Sequence, residues 1–180
     1  MTTVERTLID FARLAPFGVA VASVDAALRE RLTTRESLSG TLALNSPSRG
    51  HSRAARVFAF ADPLAESPGE SLSRVVMHEL GAPVPRLQEE HRMWDGSRYY
   101  PDFAWPEWHV LGEFDGKGKY LNADLRNGRT AGQVVYDEKR REDRLRAATG
   151  ASFARWGWDD LTHPDRLRRI LTEAGLPVPG

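Results

Sequence analysis

Apolar residues recur at helical spacing through the first sixty positions and give way to short alternating runs beyond about residue 85. Thr2 and Glu5 have capping-box spacing ahead of Leu8, Ile9, Phe11, Ala12 and Leu14, and Pro16 with Gly18 ends that segment. Val19 to Arg31 reads as a second helix, with Val21, Val24, Ala27 and Leu28 on one face. Thr34 opens a third over 35–44, the NSPSRG run breaks it, and 52–61 forms a fourth. Ser67 and Pro68 then start a helix that carries Leu72, Val75, Val76 and Glu79 and closes at Gly81.

From there the period is two. Strands are predicted over 87–94, 98–105 and 108–115, with a turn at Asp95-Gly96 and an interruption at Pro101. A glycine-containing loop over 116–132 leads to a highly charged helix over 134–149, a short strand over 152–156 and a last helix that ends near Gly175. The chain therefore reads as α/β (α+β). A helical subdomain over 1–62 precedes an α-β-β-β-α-β-α domain over 63–180, with Trp105, Trp156 and Trp158 as core anchors and Trp94 at a strand end.

Composition narrows the classes. The chain has 180 residues, enough for one domain with an added subdomain. It has no cysteine, which removes disulfide scaffolds, thiolate zinc sites and cysteine nucleophiles. No apolar run approaches the roughly 18 residues of a membrane span, and the start lacks the apolar stretch of a signal peptide, so a cytoplasmic protein without a membrane partner is expected. The 25 basic and 25 acidic residues cancel overall but not locally. Residues 1–60 hold 8 basic and 5 acidic side chains, 61–115 hold 4 and 11, and 116–180 hold 13 and 9. An acidic middle thus lies between two basic flanks. Only three of the basic residues are lysines, and all three (Lys117, Lys119 and Lys139) follow that acidic stretch.

Several familiar motifs fail. FDGKGK lacks the spacing that wraps phosphates, His78-Glu79 is followed by Ala82 where a zinc-protease helix needs histidine, and no G-x-S-x-G elbow is present. Three carboxylates are more informative. Glu113 and Asp115 lie two apart on one strand and share a face, and a hairpin across Pro106-Glu107 brings Asp102 beside them. Converging carboxylates repel unless a cation or shared protons compensate, and hard oxygen donors suit Mg2+ or Mn2+. The alternative at this point is solvated strand ends and a capping aspartate. Glu70 has the same two readings, extra metal acid or first-turn carboxylate favoured by the helix dipole.

Pro101-Asp102, then Glu113 with a neighbouring acid and Asp115-Gly116-Lys117, on an α-β-β-β-α-β frame, resembles the PD-(D/E)XK nuclease superfamily. The longer series VERTLIDFAR, VDAALR, ESPGES, PDFAWPE, GEFDGKGKY, EKRREDRLR and RWGWDDL resembles an actinobacterial family of AbiEi-type antitoxin proteins whose C-terminal domain is related to very-short-patch repair endonucleases. The resemblance runs from Val4 to about Leu171. Members carry a winged-helix domain ahead of the VERT segment, where this chain starts, so a standalone or truncated form is implied.

The resemblance implies a restriction-endonuclease-like core with a mixed sheet. Asp102 would be the metal-bridging aspartate and Glu113 the second acid, with Asp115 at the place where many members have their lysine and Glu70 as a further metal acid. The ammonium would come from Lys117, Lys119 or Lys139, and Arg140, Arg141 and Arg144 of the charged helix would contact DNA phosphates. The implied function is Mg2+- or Mn2+-dependent hydrolysis of DNA phosphodiesters. The alternatives are a catalytically silent module acting as an antitoxin or transcriptional regulator, and a protein-interaction domain that binds a toxin or regulator partner.

Overall fold

The computed structural model describes residues 2–44, 49–93, 95–116 and 149–180. Within these the chain is a mixed α/β protein of two compact units, residues 1–75 and 76–180.

The first unit is built from amphipathic helices. They are α1 (Val4–Leu14), α2 (Phe17–Arg29), α3 (Arg35–Leu44), α4 (His51–Phe60) and the first turns of α5 (Pro68–Glu79). Their inward faces bring Ile9, Val21, Val24, Leu38, Ala54, Val57 and Val75 into one core. The start of α1 departs from the sequence expectation. Thr3, not Thr2, accepts the Arg6 N–H at 3.2 Å, while Glu5 accepts the Thr33 hydroxyl at 2.7 Å and so ties α1 to the turn before α3. The α2 helix begins at Phe17 because Pro16 sits at its N-cap, where a missing N–H costs nothing. Thr34 caps α3 as expected, accepting the Ser37 N–H at 3.1 Å.

A charged group lies inside this core. Asp25 on α2 is fully buried. Its oxygens accept the Asp62 N–H at 2.7 Å and the Arg74 guanidinium at 3.1 Å. Arg74 also donates to the Phe60 carbonyl and lies 4.8 Å over the Phe60 ring. Burial raises the Asp25 carboxyl above its ordinary range, against the opposing pull of Ser71, the Asp62 N–H and Arg74. Because Arg74 and Val75 are part of this packing, the first turns of α5 belong with the N-terminal helices.

In the second unit the C-terminal end of α5 closes at Gly81 (φ +69°), where Ala82 N–H donates to Met77 O at 2.9 Å. A four-stranded sheet follows in the order β1 (Arg86–Leu87), β4 (Phe103–Trp105), β5 (Val110–Asp115), β6 (Ser152–Gly157). The first three are antiparallel and β6 is parallel to β5, so the sheet is mixed. A small antiparallel pair, β2 (His91–Arg92) and β3 (Arg98–Tyr99), stands apart from it. Two helices follow β6, α6 (Trp158–Leu161) and α7 (Pro164–Glu173), and α7 buries Leu167 and Leu171.

Two predicted long strands are therefore each divided between two sheets. The 87–94 segment breaks at Gln88, whose φ of +51° takes the backbone out of the extended region. The 98–105 segment breaks at Pro101, which has no N–H to give a ladder, and at the bend of Asp102. The third strand starts at Val110 rather than residue 108, since Pro106–Trp108 forms a 3-10 turn and His109 has φ +51°. The loop over 116–132 and the charged helix over 134–149 lie outside the described residues, apart from Gly116 and Thr149.

One face of the sheet is aromatic. Phe103, Trp105, Phe114 and Trp156 share it, with Phe103 and Trp156 centroids 5.1 Å apart. Gly112 lies among them because nothing larger fits: a Cβ there would meet Trp156 Cη2 at 2.8 Å and Trp105 Cζ3 at 2.9 Å. Trp105 and Trp156 are core anchors as expected. Trp158 is not; it is 40% exposed and stands edge-on to Phe114 at 5.1 Å. Trp94 lies outside the described residues.

Candidate functional site

The opposite face of the sheet carries the charge. Alternation along β5 puts Leu111, Glu113 and Asp115 on it, and the ladder adds Ala104 from β4 and Phe153 and Arg155 from β6. Its lower part is apolar, with Tyr99, Ala104, Leu111 and Ala151 packed together against Met93 and Phe153. Its upper part is polar.

Phe103 pairs with Gly112, and Asp102, at the bend one residue before β4, lies next to β5 at Phe114. Asp102 is fixed there because its Oδ2 accepts the Phe114 N–H at 2.9 Å. A side-chain oxygen thus takes over the ladder where the strand bends away. The expected hairpin across Pro106-Glu107 forms, with Phe103 paired to Gly112 and Trp105 to Val110. Asp115 lies further along the same edge of β5, opposite Gly157.

Glu113 is held on both sides. Its Oε1 accepts the Tyr99 hydroxyl, delivered by β3. Its Oε2 accepts Arg155 Nη2 at 2.8 Å, delivered by the parallel strand β6, where Arg155 is the register partner of Glu113. The pair is only partly shielded, Glu113 at 19% and Arg155 at 39% side-chain exposure. Arg155 also lines a cavity of about 490 Å³ beside β6, with Ser152, Phe153, Ile170 and Glu173.

Among the described residues no group of three Asp, Glu or His side chains is gathered closely enough to hold a metal ion. Asp115 therefore does not complete a three-carboxylate cluster. Asp102 and Glu113 have the donor type that Mg2+ takes, and both Glu113 oxygens and Asp102 Oδ2 already accept protein hydrogen bonds. Glu70 lies in the first unit, 6% exposed, and caps the start of α5. Ser67 Oγ accepts the Glu70 N–H at 3.2 Å, and Glu70 accepts the Ser67 hydroxyl at 2.8 Å and the Glu66 N–H at 2.7 Å. Lys117, Lys119, Lys139, Arg140, Arg141 and Arg144 lie outside the described residues.

Sequence reading missed Tyr99 and Arg155. Tyr99 lay in a segment read as one strand with Asp102, which hid its place in a separate sheet. Arg155 had a usable signal: a strand running parallel to β5 sets its own polar position beside that of β5. A second acidic group, Glu90, holds Arg92, Arg98 and the Tyr100 hydroxyl together at the β2–β3 hairpin. The hydrogen bonds from Arg92 and then Tyr100 keep its carboxyl below the usual range, and its exposure marks it as a surface tie.

Two uncharacterised Mycobacterium tuberculosis proteins, MT2308 from strain CDC 1551 / Oshkosh and Rv2248 from strain H37Rv, are each 32% identical to this chain over 148 residues. The matched region is 76% of this chain and 55% of each relative, so the chain spans about half the length of the curated relatives it matches. No protein-family profile and no solved structure matches the chain. No helix among the described residues is long and apolar enough to cross a membrane.

Proposed function

We propose that the charged face of the sheet is a divalent-cation site for hydrolysis of DNA phosphodiesters, with Asp102 and Glu113 as its carboxylates. The observation that carries this reading is the Asp102 carboxylate anchored on the Phe114 N–H, next in the chain to Glu113. The strand order, three antiparallel strands followed by a parallel fourth, supports it as well. Mg2+ or Mn2+, when bound, would supply an activated water and neutralise developing phosphate charge. The chain's own part is to hold two oxygen donors rigidly, Asp102 through the ladder and Glu113 through Tyr99 and Arg155. Asp115 adds negative charge at the end of β5, and Lys117, Lys119 and Lys139, outside the described residues, are the candidates for the ammonium.

A second reading has its own observation. Both oxygens of Glu113 already accept hydrogen bonds, which favours a catalytically silent module that binds DNA or a toxin or regulator partner. Supercoiled plasmid incubated with Mg2+ or Mn2+ separates the two. The hydrolytic reading expects metal-dependent nicking that disappears in Asp102→Ala. Salt-sensitive DNA retention without cleavage in either metal supports the silent module instead.

A further inference from the structure

We propose that the outer face of α4 is a metal-independent contact for the DNA backbone, with Arg49, Arg53 and Arg56 as its phosphate-binding side chains. This contact lies in the first unit and shares with the cation reading above only its choice of DNA. The basic N-terminal flank, which that reading leaves unused, carries the argument. Residues 37–61 contain no Asp or Glu and hold these three arginines. Arg53 and Arg56 are neighbours at i,i+3 on α4, Arg49 stands in the turn that opens the helix, and all three are exposed.

The acids on or beside the helices packed around α4 are engaged elsewhere. Asp10 pairs with Arg6 and Arg13, Asp25 with Arg74, and Glu30 with Arg29. Glu5 accepts the Thr33 hydroxyl, Thr34 holds Glu36 at the start of α3, and Asp62, past the far end of α4, accepts the Leu64 N–H. Among the described residues none of Arg49, Arg53 and Arg56 pairs with a carboxylate. Two of them are nevertheless aimed. Arg53 Nη2 donates to the Ala15 carbonyl at 2.5 Å, and the Arg56 guanidinium lies 5.4 Å over the Phe17 ring. Neither contact neutralises the charge, and most of the five N–H donors of each guanidinium stay unused.

The same face favours a polyanion over a protein. Its other exposed positions are Ser52, Ala55 and Ala59, which let a backbone approach closely. Val57 and Phe58 are turned into the core, so α4 offers none of the aromatic or aliphatic anchors on which protein interfaces centre. Arginines and small polar groups without apolar anchors are the donors that DNA phosphates take.

The test measures binding of the full chain to two fluorescein-labelled duplexes of unrelated sequence, in EDTA, between about 50 and 200 mM salt. Each phosphate neutralised contributes about 0.9 to the downward slope of log affinity against log salt concentration. Wild type should bind both duplexes alike. Arg49→Gln and Arg56→Gln should each weaken both duplexes several-fold and reduce the slope by about one. Arg56→Lys should keep the wild-type slope, which separates lost charge from lost packing on Phe17. Absence of salt-dependent binding in wild type, or an unchanged slope in the Arg49→Gln/Arg56→Gln double variant, would overturn the contact. Displacement of the duplex by polyglutamate at equal charge would overturn it too, in favour of an acidic protein partner. If the expected slopes hold while plasmid nicking fails in both metals, the cation reading alone is lost.

Discussion

Asp25–Arg74 in the first unit and Glu113–Arg155 in the second are both carboxylate–guanidinium pairs at close range, 3.1 and 2.8 Å. Their surroundings differ. Asp25 is wholly enclosed and Arg74 nearly so, and each has a further tie to the backbone. Glu113 and Arg155 are partly exposed, and Arg155 lines a cavity. A charge pair with no space around it can only brace the fold, because desolvation makes losing either partner expensive. A pair with solvent and space beside it contributes little to stability and can exchange its partners at low cost.

The contrast predicts a steep order of effects. Asp25→Ala leaves Arg74 buried and uncompensated, and should cost about 3–5 kcal/mol in urea denaturation. Gly112→Ala pushes a methyl into Trp105 and Trp156 on the aromatic face and should cost about 1–3 kcal/mol. Arg155→Gln should change stability by less than about 1 kcal/mol. If Arg155→Gln destabilises as much as Asp25→Ala, the two pairs do the same job and the comparison collapses.

The pH dependence of stability sharpens the contrast further. Burial raises the Asp25 carboxyl, so the folded state holds this proton more tightly than the unfolded chain does. Its contribution is fully present below the ordinary aspartate value of about 3.9 and is lost as pH rises through the higher folded value. Asp25→Asn should therefore flatten the fall in melting temperature as pH rises above about 4. An unchanged slope would mean that Ser71, the Asp62 N–H and Arg74 together cancel the desolvation.

The helices were legible from caps and periodicity because those signals are local: Thr34, Ser67, Pro68 and Gly81 each act within a turn of where they sit. The strands were legible in their sequence along the chain but not in their extent or in the sheet each joins. Left-handed Gln88 and His109 carry no sequence mark, and Pro101 interrupts a run whose two halves go to different sheets. The β4–β5 hairpin followed from alternation around Pro106-Glu107. The Glu113–Arg155 pair joins residues 42 apart through a parallel ladder, and no motif spans that interval. Glu70 was ambiguous because an acid three residues after a serine both caps a helix and resembles a metal ligand; the geometry gives it the cap.

The central claim is that Asp102 and Glu113 act as one pair of donors. Titration with Mn2+, followed by calorimetry, tests it without any requirement for turnover. The account predicts one Mn2+ per chain in wild type, loss of that binding in both Asp102→Asn and Glu113→Gln, and retention in Asp115→Asn. Binding that survives both substitutions, or is lost only with Asp115, would contradict it.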